Sequence, residues 1–134
     1  MNTQPGLPAY RSVVIVVDDD PAVRNSLKFS LEIEGFIVRL YASGFELLDE
    51  HANRDCNCLV VDQRMPGIAG LDLISRLREQ HVAAPAILIT SHPNAELARR
   101  AASANVPIVE KPLLGNALVE RIRDACRPGS NDRS

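Results

Sequence analysis

No stretch of this 134-residue chain approaches the roughly 20 consecutive apolar residues that a membrane-crossing helix needs, so a helical membrane span is not expected. Excess basic charge is lacking too. A formal net charge of -2 and a pI near 5.9 leave no electrostatic footprint for direct nucleic-acid binding. Cysteine is scarce: Cys56, Cys58 and Cys126 are odd in number and show neither a CxxC pair nor zinc-type spacing. They read as reduced thiols, with Cys58 a small buried residue at a strand start. Met1 to Arg11 lacks the charged start and apolar centre of a secretory signal, which makes the chain an expected cytoplasmic protein. Internal repeats and low-complexity segments are also missing. What remains is 46% hydrophobic, enough for one core and too short for two ordinary domains.

Against this background the acidic residues stand out. Asp18, Asp19 and Asp20 close an apolar run from Val13 to Val17, and Asp62 closes another from Leu59 to Val61. Short all-apolar runs rich in Val and Ile suit parallel strands covered on both faces, whose C-terminal ends open into the crevice where α/β sheets bind ligands. If the two runs are neighbouring strands, their acids meet. Like charges about 4 Å apart repel by roughly 4 kcal/mol at an effective dielectric of 20, so a cation, whether metal, lysine or both, must sit among them.

Apolar runs and amphipathic stretches alternate five times, the pattern of βα units around a parallel sheet. The predicted strands are Val13 to Val17, Phe36 to Tyr41, Cys58 to Val61, Ala86 to Thr90 and Val106 to Val109. The first helix is capped by Asp20, started by Pro21 and ended by Gly35, with Val23, Leu27 and Leu31 on one face. Further helices are predicted over Gly44 to His51, Gly70 to Gln80, Asn94 to Ala104 and Gly115 to Arg127, with Asn105 as a left-handed stop after the fourth. An arm over residues 1–12 and a flexible polar tail over 128–134 would flank a domain over 13–127. Pro107 lies inside the fifth predicted strand, where it removes a ladder donor, and so puts that strand at a sheet edge. A flavodoxin-like (βα)5 doubly wound parallel sheet of order 2-1-3-4-5 satisfies this and makes the first and third strands neighbours.

Four separated motifs, Val17-Asp18-Asp19-Asp20, Asp62 with Met65-Pro66 and Gly70, Ile89-Thr90, and Glu110-Lys111-Pro112, occur in the order found in response regulator receiver domains. From Val13 to Arg127 the chain resembles that CheY-like family. The resemblance implies that Asp62 is the phosphoacceptor, taking a phosphoryl group from the phosphohistidine of a sensor histidine kinase or phosphotransfer protein in two-component phosphorelay signalling. It implies Mg²⁺ as cofactor, held by Asp19 directly, Asp18 through water, Asp62, and the backbone carbonyl of Arg64. Lys111 would meet Asp62 and a phosphoryl oxygen, Thr90 would offer a hydroxyl to another, and Pro112 would follow a cis peptide. Asp20 is left out of the metal set, because a helix cap before Pro21 accounts for it. Arg64 and His92, each two residues past a site residue, resemble the FixJ-like subgroup and would modulate phosphoryl lifetime. His51 and His81 read as surface residues.

Some positions depart from the family pattern. Receivers usually carry Phe or Tyr three residues before the lysine, and this chain has Ile108 there; Ser91 and Leu113 also differ from common choices. The output switch is therefore expected to reach a downstream protein through an altered surface. Two rival readings keep the fold: the receiver part of a longer transcription factor, and a pseudo-receiver that binds partners without phosphorylation. A haloacid dehalogenase-type hydrolase would need a second Asp two residues after its nucleophile, and Arg64 occupies that place. The primary reading is a phosphoacceptor signalling domain that catalyses only its own modification, rather than a turnover enzyme.

Overall fold

Val and Ile runs buried on both faces build a five-stranded parallel sheet in the order β2-β1-β3-β4-β5. The computed structural model describes residues 11–50 and 55–127. Its strands are β1 (Val13–Val17), β2 (Ile37–Tyr41), β3 (Cys58–Asp62), β4 (Ala86–Thr90) and β5 (Ile108–Glu110). The helices between and after them are α1 (Pro21–Ile33), α2 (Gly44–Asp49), α3 (Gly70–Glu79), α4 (Ala95–Ser103) and α5 (Ala117–Cys126). This is the doubly wound, flavodoxin-like arrangement that the alternating pattern predicts.

Side chains alternate across the sheet and feed two cores. Ile15, Val17, Leu59, Val61 and Leu88 pack with Leu47 of α2, Leu73 and Leu77 of α3, and Leu97 and Ala101 of α4. Val14, Val16, Val60, Ile87 and Ile89 pack on the other face with Leu27 and Leu31 of α1 and Leu118 and Ile122 of α5. Burying each large aliphatic side chain contributes roughly 1.5–3 kcal/mol, which makes the central strands the rigid part of the molecule. Among the described residues no helix is long and apolar enough to cross a membrane.

Local signals set most element ends. The Asp20 carboxylate caps α1 by accepting from the Ala22 N–H at 2.9 Å, with Pro21 at the first helical position. Gly35 follows at φ +101, a left-handed conformation that glycine tolerates without strain, and Asn105 ends the α4 segment at φ 60. His81 does the same after α3, at φ 69, and is exposed as expected.

Several boundaries differ from expectation. β5 starts at Ile108 rather than Val106, because Pro107 has no N–H to enter the ladder; its carbonyl still accepts from Leu88 N–H at 2.9 Å. The strand is nonetheless at the sheet edge. β3 runs one residue further, so Asp62 is itself a strand residue. α2 ends at Asp49, and α5 starts only at Ala117, since Gly115 at φ +71 is in no helical conformation. His51, the tail over 128–134 and residues 1–10 of the arm lie outside the described residues.

Candidate functional site

The sheet register decides where the acids meet. β1 and β3 are hydrogen-bonded neighbours with Val17 opposite Val61, so Asp18 and Asp62 emerge side by side at the C-terminal edge. Carboxylate oxygens of Asp18, Asp19 and Asp62 all lie within 4.8 Å of one another. Asp18 and Asp62 are buried, whereas Asp19 is exposed. Thr90 closes β4 with its side chain buried, and Lys111 follows β5 directly. Four strand ends thus deliver five of the expected residues to one crevice.

Lys111 supplies the first cation. Its Nζ lies 3.2 Å from Asp18 Oδ2 and 3.3 Å from Asp62 Oδ1, and the Lys111–Pro112 peptide bond is cis. Burial and the neighbouring Asp18 push the Asp62 carboxyl above its usual range, against the opposing pull of Lys111. Burial works against charge on Lys111 as well, but Asp62 and Asp18 outweigh it and hold the ammonium above its usual value. One lysine does not neutralise three carboxylates. Hard oxygen donors converging around a solvent-open side suit a small divalent cation such as Mg²⁺, which retains several waters.

Close packing fixes the strand end that carries Asp62. A Cβ on Gly70 would sit 2.4 Å from the Asp62 carbonyl oxygen, so only glycine lets α3 start this near β3. The Gln63 side chain accepts from Leu71 N–H at 2.9 Å, capping a helix whose own N-cap residue, Ala69, has no side-chain oxygen to offer. Further along the loop, Gly67 adopts φ +88 beneath the half-exposed ring of Phe45.

Arg64 and His92 meet between the loops that follow β3 and β4. Arg64 Nη1 lies 3.2 Å from His92 Nδ1, and because a guanidinium only donates, this ring nitrogen is the acceptor in that contact. His92 N–H in turn donates to Thr90 Oγ1 at 3.2 Å. The β3–α3 and β4–α4 loops are thereby linked. A polar pocket of about 360 Å³, lined by Arg64, Thr90 and His92 among others, lies beside this link. Ile108, half-buried, packs against the core that holds Leu97 and Ala101 of α4. Sequence reasoning did not find the structural parts played by Gln63 and Phe45, since each depends on a tertiary neighbour rather than on a local pattern.

A family model for the response regulator receiver domain matches residues 14–123. The chain belongs to that family. Within it, the chain is similar to the transcriptional regulatory protein FixJ of Bradyrhizobium diazoefficiens, 36% identical over 85% of this chain and 56% of that protein. It is likewise 36% identical to the C4-dicarboxylate transport transcriptional regulatory protein DctR of Rhodobacter capsulatus, over 80% of this chain and 56% of that one. The receiver therefore spans about half the length of these relatives. Among solved structures, FixJ-N aligns with a TM-score of 0.77 at 33% identity, covering 86% of this chain and 93% of its own. A CheY-like receiver from Methanospirillum hungatei aligns at 0.79 and 26%, covering 87% and 94%. These similarities support the FixJ-like subgroup.

Proposed function

We propose that this receiver accepts a phosphoryl group on Asp62 from the phosphohistidine of a sensor histidine kinase or phosphotransfer protein. The observation that carries the reading is the Lys111 ammonium placed between Asp18 and Asp62, with three carboxylates converging on one spot. In the transfer, a carboxylate oxygen of Asp62 forms a bond to phosphorus as the phosphorus–nitrogen bond of the phosphohistidine breaks. Lys111 donates to one phosphoryl oxygen and holds it toward the nucleophile, while the Thr90 hydroxyl donates to another. Asp19 and Asp18, with Asp62 and the Arg64 backbone carbonyl, would hold Mg²⁺. When bound, the ion supplies the positive charge that offsets both the acids and the phosphoryl oxygens. Asp20 stays with the helix as its cap. Arg64 and His92, bonded across the mouth, limit the approach of water to the aspartyl phosphate.

The acyl phosphate redistributes charge at the ends of β3, β4 and β5, and a downstream protein reads the resulting surface. Ile108 makes that response differ from one built on an aromatic residue. Incubation with Mg²⁺ and acetyl phosphate is expected to give an acid-stable, base-labile adduct, visible in the intact mass and absent in Asp62→Asn. A stable adduct on another residue would overturn the assignment. The named relatives are transcriptional regulators about twice as long as the matched region, which favours a second reading in which this receiver controls a further output domain. Sequencing the native reading frame beyond Ser134 tests it.

A further inference from the structure

Asp18 is held at every polar atom it owns. Its N–H donates to the Tyr41 carbonyl at 3.2 Å, its Oδ1 accepts from Asp20 N–H at 2.9 Å, and its Oδ2 accepts from Lys111 at 3.2 Å. The fourth partner is Arg24, whose Nη1 donates to the Asp18 carbonyl oxygen at 2.8 Å. The first three bonds belong to the sheet ladder, the turn and the charge pair. The fourth belongs to none of these. Pairing between β1 and β2 stops at Val17 and Tyr41, so the Asp18 carbonyl has no following strand N–H to accept from. Arg24, in the first turns of α1, reaches back across the β1–α1 turn and occupies that place. Asp19, one residue on, is exposed and has no side-chain partner among the described residues.

We propose that Arg24 is a positioning residue for the divalent cation site. It fixes the peptide between Asp18 and Asp19, and so sets the direction in which the unpartnered Asp19 carboxylate leaves the backbone. A buried strand-end carbonyl without its donor would turn toward water, and the following residue would turn with it. This inference rests on the reading of Asp18 and Asp19 as cation ligands. The charge of Arg24 acts the other way: a guanidinium near the site repels a divalent ion. The two effects therefore make opposite predictions for its removal.

Removing an outer partner of a metal ligand typically weakens binding by about 10- to 100-fold. Titration of the full chain with MgCl₂ by calorimetry is expected to show Arg24→Ala and Arg24→Met binding about tenfold more weakly than wild type. Arg24→Met keeps the aliphatic stem and its packing while losing only the donor, so it carries the test if the alanine variant fails to fold. Arg24→Lys, which restores a donor, is expected to recover part of the affinity. Thermal melting of the same samples separates a merely structural role, which lowers the midpoint without moving the dissociation constant of the folded protein. Wild-type or tighter Mg²⁺ binding by Arg24→Met overturns the inference. Asp19→Asn is the control: if it too binds like wild type, the reading of the acidic cluster as the cation site falls, whereas loss of binding there with none in Arg24→Met defeats only the role of Arg24.

Discussion

Replacing Asp62 with Asn is expected to stabilise the fold when no divalent cation is present. Asp62 and Asp18 approach within 4.8 Å, a repulsion of about 3.5 kcal/mol at an effective dielectric of 20. Asp19 is as near but exposed, and solvent screening reduces its share to about 1–2 kcal/mol. Lys111 at 3.3 Å opposes both with about 5 kcal/mol. These terms nearly cancel. What is left is the cost of holding a charged carboxylate away from water, at least about 2 kcal/mol for a group this buried. Asn keeps the shape and an oxygen for Lys111 but removes the charge. For a domain of this size the gain corresponds to roughly 8 °C in melting temperature. The sign follows from Asp62 being harder to ionise in the fold than in the unfolded chain: its ionisation weakens the fold, increasingly as pH rises through the folded pKa. The difference between the two proteins should therefore shrink as pH falls into the ordinary carboxylate range. It should also shrink with Mg²⁺, since a ligand at 100 times its dissociation constant stabilises the protein that binds it by about 2.7 kcal/mol. Far-UV circular dichroism melts in EDTA and in Mg²⁺ provide the measurement. A variant no more stable than wild type in EDTA at neutral pH would refute the electrostatic account.

Gly70→Ala tests the packing that supports the Asp62 strand end. Its methyl group would fall 2.4 Å from the Asp62 carbonyl oxygen and 2.9 Å from Leu88 Cδ1, so a loss of about 1–3 kcal/mol in denaturant unfolding is expected, with slower phosphorylation by acetyl phosphate. Wild-type stability would mean that α3 can slide away from β3 at no cost. Alanine at both Arg64 and His92 removes their contact. Dephosphorylation of the purified phosphoprotein should then accelerate by about tenfold, or about 1.4 kcal/mol in barrier, and equal rates in wild type and double variant would rule out a gating role.

The parts of this receiver that could be read from its sequence are those fixed by short-range chemistry or by topology. Val13 to Val17 and Ala86 to Thr90 are strands from end to end because uninterrupted β-branched and apolar residues leave no other way to bury both faces. The convergence of Asp18 with Asp62 followed from strand order alone, since a 2-1-3-4-5 sheet cannot separate the ends of β1 and β3. The predicted β5 ran through Pro107 from Val106 where the strand begins only at Ile108, yet the missing N–H of Pro107 marked the edge correctly. Arg24, Gln63 and Phe45 left no such trace, because each acts through a reach across a turn or between elements that no spacing rule encodes.

In the proposed function, Ile108 would mark the boundary between the acceptor chemistry and the output. The residues proposed to handle the phosphoryl group sit at strand ends locked by the sheet, where a change of side chain elsewhere cannot easily displace them. Ile108 instead lies half-buried on the edge strand, against a helix whose buried anchors are only Leu97 and Ala101. One of those two anchors is only an alanine, so α4 buries less apolar side chain than α1 with Leu27 and Leu31 or α5 with Leu118 and Ile122, which leaves it among the more easily moved elements. Position 108 carries an aliphatic side chain in place of the Phe or Tyr usual at this place in the family. If Asp62 is the acceptor as proposed, substitutions at 108 should alter which surface responds while leaving phosphorylation by acetyl phosphate intact.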